Sequence, residues 1–575
     1  MSPDLIKKLN KLLTKQEKSR ALGLFFMILI GSFAELLGVS VLLPIMDLAM
    51  NDTPETSMIF RLLSNAFGTT DKERILLLLI VGTVALYILK SVYLSGMYSR
   101  LYHFAADTKR RLATSLMESY LRKPYPFFLY RASSDLIRSV NSDTAQLYEV
   151  LVNILLILSN AVTSGLLIIY LAVTNFAMTM TIALLLGLCA AVILFVVQKR
   201  TRRYGKVNQE MQGYLIRYLQ QAIEGIKEIK ILRSEEFYIN RYSEAYREQT
   251  EVERKSRLVN LIPKYIIEAV CISGILLYLG ANVLWNPHYR DILLQLGVFA
   301  VSAFKLLPAV NAVYAYMNTI MYHKASIDLV YRDMEEAGTE ERLQEEERKK
   351  LPFASELSLD RVSFRYEGTD TDILKDVSFT VKKGESIGFI GASGGGKTTT
   401  ADLILGLLSP VEGTVTVDGR NIAEDLTGWQ SNIGYIPQSI FLTDDSVRRN
   451  VALGIPDEKI DEERVLDALA KAKLTEFVKA LPGGLDTEVG ERGMRISGGQ
   501  RQRIGIARAL YRDPEVLVFD EATSALDNET EREVMEAVEG LQGEKTILMI
   551  AHRLTTIEHC DHVFRIEEGK VLQIR

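Results

Sequence analysis

Apolar residues in the first 335 positions form long runs. Residues 150–198 contain no Asp, Glu, Lys, Arg or His. As a single helix these 49 residues would extend about 73 Å at 1.5 Å per residue, whereas the hydrocarbon core of a bilayer is about 30 Å thick. This run therefore predicts two membrane-spanning helices with a turn near residues 172–175. Four shorter runs predict further spans, which brings the total to six: residues 21–48, 75–98, 265–284 and 292–316.

Basic residues set the predicted orientation of these spans. They cluster in residues 1–20, 109–123 and 199–206, before span one and after spans two and four. Because cytoplasmic loops are enriched in Lys and Arg, we expect both chain ends in the cytoplasm and the spans in the cytoplasmic membrane. Residues 1–20 are predicted to form an amphipathic helix on the inner membrane surface.

The segments between the spans also carry predictions. Residues 99–145 and 199–260 contain few Gly or Pro residues, which predicts helical rods that continue beyond the bilayer. Their tips, near Pro124 and at residues 226–233, are expected to touch the second half of the chain. Apolar residues at helical spacing in residues 54–68 predict a short helix on the outer surface, either as an interfacial anchor or as a contact for a lipid tail.

The charge of the chain differs between its two parts. Residues 1–335 hold 37 basic and 27 acidic residues, whereas residues 336–575 hold 30 basic and 45 acidic residues. The total of −5 gives no basic footprint for nucleic acid, so no nucleic-acid partner is expected. Three widely spaced cysteines do not fit a disulfide framework or a zinc site.

Charged residues also occur within or beside the predicted spans. A charge at the centre of a membrane helix costs about 2.5–3.5 kcal/mol on insertion scales, so such residues usually face a cavity or a partner. Lys264 and Glu268 are four positions apart and could pair with each other. Lys90, Lys264 and Lys305 are also the candidates for binding an anionic headgroup, with purely structural pairing as the alternative.

Residues 386–398 have the pattern of a phosphate-binding loop. A short apolar strand, residues 386–390, leads into Gly391-Ala-Ser-Gly-Gly-Gly-Lys-Thr398 and a helical pattern over residues 399–408. Glycines in this context let backbone N–H groups surround phosphates, and the helix N-terminus favours their negative charge. Lys397 is expected to reach the β- and γ-phosphates of ATP, and Thr398 to bind Mg²⁺.

A second apolar strand, residues 516–519, ends in two acids. Asp520 is placed to hold Mg²⁺, and Glu521 is the candidate general base for an attacking water. The alternative is that the two acids only cap a helix. Ser497-Gly-Gly-Gln500 precedes Asp520 by about 20 residues, and with this spacing the second half resembles the nucleotide-binding domain of ATP-binding-cassette (ABC) proteins.

The resemblance implies a multidomain fold. A six-helix transmembrane domain of the ABC exporter type is followed by an α/β P-loop nucleotide-binding domain. The implied organisation is an amphipathic helix at 1–20, a transmembrane domain at 21–335, a linker at 336–352 and the nucleotide-binding domain at 353–575.

The resemblance also implies the roles of individual residues. Catalytic roles fall to Glu521, His552 and Gln438, and Mg²⁺ ligation to Thr398, Gln438 and Asp520. The implied contacts to ATP are Tyr366, Gly391, Ser393, Gly394, Gly395, Gly396, Lys397, Thr398, Thr399, Ser497, Gly498, Gly499, Gln500 and Asp520. Residues 524–527 resemble the loop at the dimer interface, and residues 487–493 resemble an exporter segment that faces the membrane domain.

Ser497 and Gly499 resemble the signature residues of this family, which contact the ATP held by the other subunit. The resemblance therefore implies a homodimer, with a heterodimer as the alternative. Within the exporters, residues 38–44, 263–268 and 304–311 resemble the lipid-linked oligosaccharide flippase of bacterial protein N-glycosylation. The resemblance implies ATP-driven movement of a polyprenyl-pyrophosphate glycan by alternating access. The alternative is an exporter of another amphiphile: a lipid A-like lipid, a peptide or a drug.

Overall fold

The chain divides into two compact units in the computed structural model. They are Met1–Lys123 with Tyr130–Glu341, and Pro124–Leu129 with Arg342–Arg575. The structure describes residues 3–41, 45, 48, 60–61, 64–65, 68, 70–174, 176–285, 289–337, 349–490, 493–522, 528–551 and 553–575.

The described part of the first unit is helical. The helices of the chain up to residue 337 are α1 (Pro3–Leu12), α2 (Lys15–Ser40), α3 (Lys72–Leu121), α4 (Tyr125–Tyr130), α5 (Ser133–Arg138), α6 (Thr144–Thr174), α7 (Phe176–Glu224), α8 (Ile226–Leu232), α9 (Glu235–Trp285), α10 (Tyr289–Tyr322) and α11 (Lys324–Ala337). A π-helical turn, Ser139–Asp143, joins α5 to α6. All but the last residue of α4 group with the second unit.

The predicted membrane spans correspond to helices of the first unit. In the described part of the chain, α2, α3, α6, α7 and α9 are long and apolar enough to cross a membrane. The predicted span at 292–316 lies within α10. The end of α6 at Thr174 and the start of α7 at Phe176 confirm the predicted turn. Helices α3, α7 and α9 contain 50, 49 and 51 residues, more than one bilayer crossing requires.

The N-terminal segment differs from its prediction. The helix predicted over residues 1–20 is instead two helices, because Thr14 caps α2 in a reciprocal capping box with Glu17. The Glu17 backbone N–H donates to Thr14 Oγ1 at 3.2 Å, and the Thr14 N–H donates to Glu17 Oε2 at 2.8 Å. The apolar face of α1, which includes Leu5 and Leu9, is buried within the protein. This packing holds the apolar face of α1 against the protein.

Most of the predicted outer segment, residues 54–68, lies outside the described residues. Phe60 is described, and it is buried in a small cluster with Leu48 and Ile75.

Two sheets form the framework of the second unit. Its strands are β1 (Glu356–Phe364), β2 (Leu374–Lys382), β3 (Ser386–Ile390), β4 (Glu412–Val417), β5 (Arg420–Asn421), β6 (Ile433–Ile436), β7 (Val516–Asp520), β8 (Thr546–Ile550), β9 (His562–Glu567) and β10 (Lys570–Gln573). One sheet is antiparallel in the order β2-β1-β4-β5, and the other has the order β10-β9-β3-β8-β7-β6. In the larger sheet, β9, β3, β8, β7 and β6 are parallel neighbours.

Helices of the second unit accompany this parallel sheet. They are α12 (Lys397–Ile404), α13 (Leu426–Gln430), α14 (Val447–Val451), α15 (Glu462–Lys471), α16 (Thr475–Ala480), α17 (Gly498–Tyr511) and α18 (Asn528–Glu539). Every residue of β7 and β8 is buried, as expected for parallel strands that are covered on both faces. The predicted α/β architecture is therefore confirmed.

The region of the predicted domain boundary is described on both sides of residues 338–348. Helix α11 continues to Ala337, and residues 338–348 of the predicted linker lie outside the described residues. Leu351 and Phe353 are already buried in the core of the second unit, so this core begins slightly before the predicted boundary at residue 353.

Candidate nucleotide and substrate sites

The phosphate-loop candidate lies at the carboxyl end of β3, where the chain turns into α12. Gly391 has φ +150°, and a Cβ there would lie 2.1 Å from the Ile566 carbonyl oxygen. Only glycine fits this close approach. Gly394, at φ +78°, has no neighbour within 4 Å of a Cβ position, so the loop is open on the side where Ser393 and Gly394 are exposed.

The Lys397 side chain folds back into this loop. Its side chain is 5% exposed, and Nζ donates to the carbonyl oxygens of Gly391 and Ala392, both at 3.0 Å. The ammonium therefore sits at the base of a loop of glycines and at the N-terminus of α12, an arrangement that favours anionic ligands.

The other loop residues surround the start of α12. Gly396 caps the helix at φ +104°, Gly395 is half-buried and the Thr398 side chain is exposed. Thr399 lies 3.2 Å from the Tyr366 hydroxyl, measured between oxygen atoms. The Tyr366 ring is half-buried and packs edge-on against Phe364 with ring centroids 5.0 Å apart. The structure thus brings Tyr366 to the phosphate loop.

Asp520 is the last residue of β7 and Glu521 follows it. Strand β7 is separated from β3 by β8 alone. Asp520 is buried and accepts a hydrogen bond from the Tyr435 hydroxyl at 3.4 Å. Glu521 Oε2 accepts a hydrogen bond from Gln438 Nε2 at 2.8 Å. Glu521 has φ +48°, a conformation that costs of order 1–3 kcal/mol and is concentrated at functional sites.

The donor atoms at this edge fit a magnesium ion. Burial, and next the charge of Glu521, raise the pKa of Asp520, and a cation would relieve both effects. Mg²⁺ prefers oxygen ligands, which the hydroxyl of Thr398, the amide of Gln438 and the carboxylate of Asp520 can provide.

Comparison with known proteins agrees with this geometry. Residues 374–524 match the family model of the ABC transporter and residues 22–284 match that of the ABC transporter transmembrane region. An ATP-dependent lipid A-core flippase of Cupriavidus metallidurans is 30% identical over 469 residues, which cover 80% of this chain and 78% of the relative. The chain belongs to the ABC transporters. It is a half-transporter of the exporter type, whose ATPase domain hydrolyses ATP coupled to transport.

Two further comparisons support the exporter architecture. An ATP-dependent lipid A-core flippase of Burkholderia thailandensis is 31% identical over 469 residues, or 80% of the transporter and 77% of the relative. The structure of a bacterial Atm1-family ABC exporter with ATP bound superposes with a TM-score of 0.77 at 22% identity, covering 96% of the transporter and 94% of that chain. This second likeness concerns the fold alone.

The candidate signature residues of the transporter stand at the start of α17. Ser497 Oγ accepts from the Gln500 N–H at 3.2 Å, and Gln500 Oε1 accepts from the Ser497 N–H at 2.8 Å. This capping box is a structural role that the sequence analysis missed, although its spacing is visible in Ser497-Gly-Gly-Gln500. Ser497 and Gly498 remain exposed and Gly499 is buried.

Several predicted site residues of the transporter lie outside the described residues. They are His552, residues 524–527, and residues 491–492 of the exporter segment. Their assigned roles stay predictions.

The three candidate substrate lysines differ in their surroundings. Lys90 in α3 is 9% exposed, and its Nζ lies 4.1 Å from the centroid of the Tyr87 ring. Lys264 in α9 is exposed, as is Glu268, and the Lys264 Nζ lies 5.9 Å from the Tyr265 ring centroid. The pairing of Lys264 with Glu268 stays a prediction. The side chain of Lys305 lies outside the described part of α10. Of the two described lysines, Lys264 is exposed and Lys90 is buried.

Asp402 in α12 gives the ATPase domain a predicted pH dependence. Burial, and next the charge of Asp520, raise the pKa of Asp402 from 3.8 to about 6. The folded state disfavours the ionised form of Asp402. The protonated carboxyl therefore contributes to the free energy of unfolding below pH 3.8, and this contribution is lost as the pH rises towards about 6. In nucleotide-free protein we expect Asp402→Asn to flatten this fall in the free energy of unfolding, measured by denaturant titration at a series of pH values. An unchanged slope in the variant would remove Asp402 as its source.

Proposed function

We propose that the transporter works as a two-fold homodimer that moves an amphipathic lipid of the lipid A type across the cytoplasmic membrane. The observation that carries this proposal is the likeness to lipid A-core flippases over about four fifths of the chain. It supports the lipid A-like alternative of the sequence analysis over a lipid-linked oligosaccharide. Positive residues beside the even-numbered spans support a cytoplasmic ATPase domain.

In this proposal the phosphate loop binds ATP. The N–H groups of residues 391–396 and the N-terminus of α12 would receive the phosphates, with the Lys397 ammonium leaving the carbonyls of Gly391 and Ala392 for the β- and γ-phosphates. Thr399 and the rest of the loop orient them, and the Tyr366 ring would stack on the adenine. Thr398, Gln438 and Asp520 would hold Mg²⁺, which supplies positive charge against the phosphate oxygens when bound.

Glu521 is proposed as the general base. A carboxylate at this position can accept the proton of the attacking water, and its hydrogen bond to Gln438 orients it before ATP arrives. His552, two residues after β8, is proposed to contact the γ-phosphate.

The proposed dimer completes two ATP sites. The N-terminus of α17 leaves Ser497 and Gly498 exposed, and in the proposed dimer this end of the helix, with Gly499 and Gln500, would meet the γ-phosphate bound by the other copy. In a two-fold dimer the same surface of each copy forms the interface, so one self-complementary surface would complete both ATP sites. A homologous second chain in place of the copy is the alternative.

A lipid of this class also suits the exposed lysine. A lipid A-type headgroup is anionic, and Lys264 would contact it, with Lys90 and Lys305 as the further proposed contacts. Alternating access, driven by ATP binding and reset by hydrolysis, would carry the headgroup across while its tails remain in hydrocarbon.

The buried ammonium of Lys397 leads to a quantitative prediction. We expect Lys397→Ala to weaken ATP binding by about 10- to 150-fold, since hydrogen bonds to charged groups contribute about 1.5–3 kcal/mol. Binding of a fluorescent ATP analogue to the purified transporter measures the change. Lys375→Ala, at an exposed lysine in β2, serves as the control and should bind normally; equal affinity of the Lys397 variant would exclude the phosphate contact.

Substrate-stimulated ATPase activity tests the substrate class. The transporter is reconstituted in nanodiscs and titrated separately with a lipid A-type glycolipid, a polyprenyl-pyrophosphate glycan, peptides and drugs. We expect the lipid A-type glycolipid to stimulate hydrolysis most at equal concentration. Stimulation by the polyprenyl-linked glycan alone would restore the first hypothesis, and stimulation by drugs or peptides alone would reject both lipids.

A further inference from the structure

A cavity lies between four helices of the membrane unit, α6, α7, α9 and α10. It encloses about 200 Å³, which exceeds the roughly 150 Å³ of an apolar protein cavity that binds benzene or xenon. Its walls are formed by Ile168, Ala183, Gly187, Cys271, Ile275 and Leu306, among others. The cavity is therefore large enough for a segment of a hydrocarbon chain.

The walls of the cavity are apolar. None of the described residues that line it carries a charge, and Thr179 is the single hydroxyl among them. An ordered water needs two to four polar partners, which this lining does not offer. An apolar ligand is thus the chemistry that the cavity fits.

The cavity lies at the depth of the bilayer. Ile168, Ala183 and Gly187 belong to residues 150–198, the stretch without a charged residue. Beside them, Val173, Leu184 and Leu188 are largely exposed, so an apolar outer surface continues past the cavity. Because these helices are long and apolar enough to cross a membrane, the medium next to this surface is the hydrocarbon of lipid chains.

We propose that a single acyl chain of a bilayer phospholipid occupies this cavity. A bilayer lipid fits better than the transported lipid, because none of the described lining residues is a cation that could select a headgroup and neither Lys90 nor Lys264 belongs to the lining. The bound chain fills space between helices that would otherwise be empty and makes a structural lipid part of the membrane unit. This site is independent of the proposed substrate.

Filling the cavity with a side chain tests the proposal. No heavy atom lies within 4 Å of a Cβ placed on Gly187, and Gly187 lines the cavity, so Gly187→Leu adds a side chain at the cavity wall. Gly82 in α3 is equally open, exposed and not part of the lining, which makes Gly82→Leu the matched control. The transporter and both variants are placed in phosphatidylethanolamine nanodiscs that contain a trace of the same lipid with a diazirine in its acyl chain. After illumination, adducts are mapped by mass spectrometry.

We expect adducts on Ala183 and Cys271 themselves, resolved within their peptides from adducts on exposed neighbours such as Leu184, in the unchanged transporter and in Gly82→Leu. In Gly187→Leu these adducts should fall by about tenfold. The new side chain displaces about two CH₂ groups of the acyl chain from the cavity, and the lost burial lowers the occupancy of the cavity by about that factor. Basal ATPase activity reports folding, and Ala190→Val, a smaller change in the same lining, replaces Gly187→Leu if that variant is inactive. Equal labelling of the cavity in all variants, no labelling in the unchanged transporter, or cross-links from these peptides to a second copy of the chain would overturn the proposal.

Discussion

Glu521→Gln is expected to retain ATP binding and to lose most ATP turnover. A positioned general base contributes about 10²- to 10⁴-fold to a rate, and the amide cannot accept the proton of the attacking water. The substitution keeps the size of the side chain, so Gln438 can still hydrogen bond to its oxygen. We therefore expect the loss in kcat, with little change in the affinity for ATP.

The control for this variant is another glutamate of the same domain. Glu568, in the turn between β9 and β10, is exposed and shares the positive φ of Glu521, +49° against +48°. Glu568→Gln should leave turnover unchanged, which separates the chemistry of Glu521 from its backbone conformation. Turnover of Glu521→Gln within a factor of about two of the unchanged protein would remove Glu521 from the role of base, since the contribution of such a group is far larger.

Trp429→Ala is expected to destabilise the ATPase domain by about 3–5 kcal/mol, the usual cost of removing a buried aromatic ring. The Trp429 side chain is fully buried, and its indole N–H donates to the carbonyl oxygen of Ile404 at 2.7 Å. Ile404 is the last residue of α12, so the indole satisfies a carbonyl that the helix leaves unpaired. The ring also packs edge-on against Phe353, with centroids 6.3 Å apart.

Because Trp429 supports the end of α12, its loss should also affect the phosphate loop at the start of that helix. Trp429→Phe keeps a ring but leaves the Ile404 carbonyl unpaired, and we expect it to cost about 1–3 kcal/mol. Calorimetric unfolding of the detergent-solubilised transporter, with and without ATP, measures both variants. A cost for Trp429→Ala no larger than that for Trp429→Phe would contradict the packing argument.

Patterns that are local in sequence predicted the fold. The uncharged run of residues 150–198 could only fit a membrane as two helices, and in the structure α6 ends at Thr174 and α7 begins at Phe176. The phosphate loop was predicted from a similarly short stretch, in which a strand, a glycine-rich loop, Lys397 and a helix follow one another. In the parallel sheet Gly391 follows β3 and Asp520 ends β7, so both lie at the carboxyl ends of their strands.

Contacts between distant residues could not be predicted in this way. The division of the N-terminal helix depends on Thr14 and Glu17, and Glu17 is further held by Arg111, whose Nε donates to Glu17 Oε1 at 2.7 Å. Tyr435 reaches Asp520 across 85 positions of sequence, so its place in the site had no sequence signal. Lys90 was a candidate for a headgroup, yet its burial against Tyr87 depends on how α3 packs in three dimensions.

ATP-driven movement of a lipid A-type glycolipid tests the central claim most directly. The transporter is reconstituted in liposomes with a fluorescent form of this lipid, and the fraction accessible to a membrane-impermeant quencher is followed after ATP is added outside. ATP added outside reaches only the transporters whose ATPase domains face outward. The expected result is that ATP decreases the quenchable fraction with the unchanged transporter and leaves it constant with Glu521→Gln. The same change in both proteins, or a constant fraction while the unchanged transporter hydrolyses ATP, would contradict it.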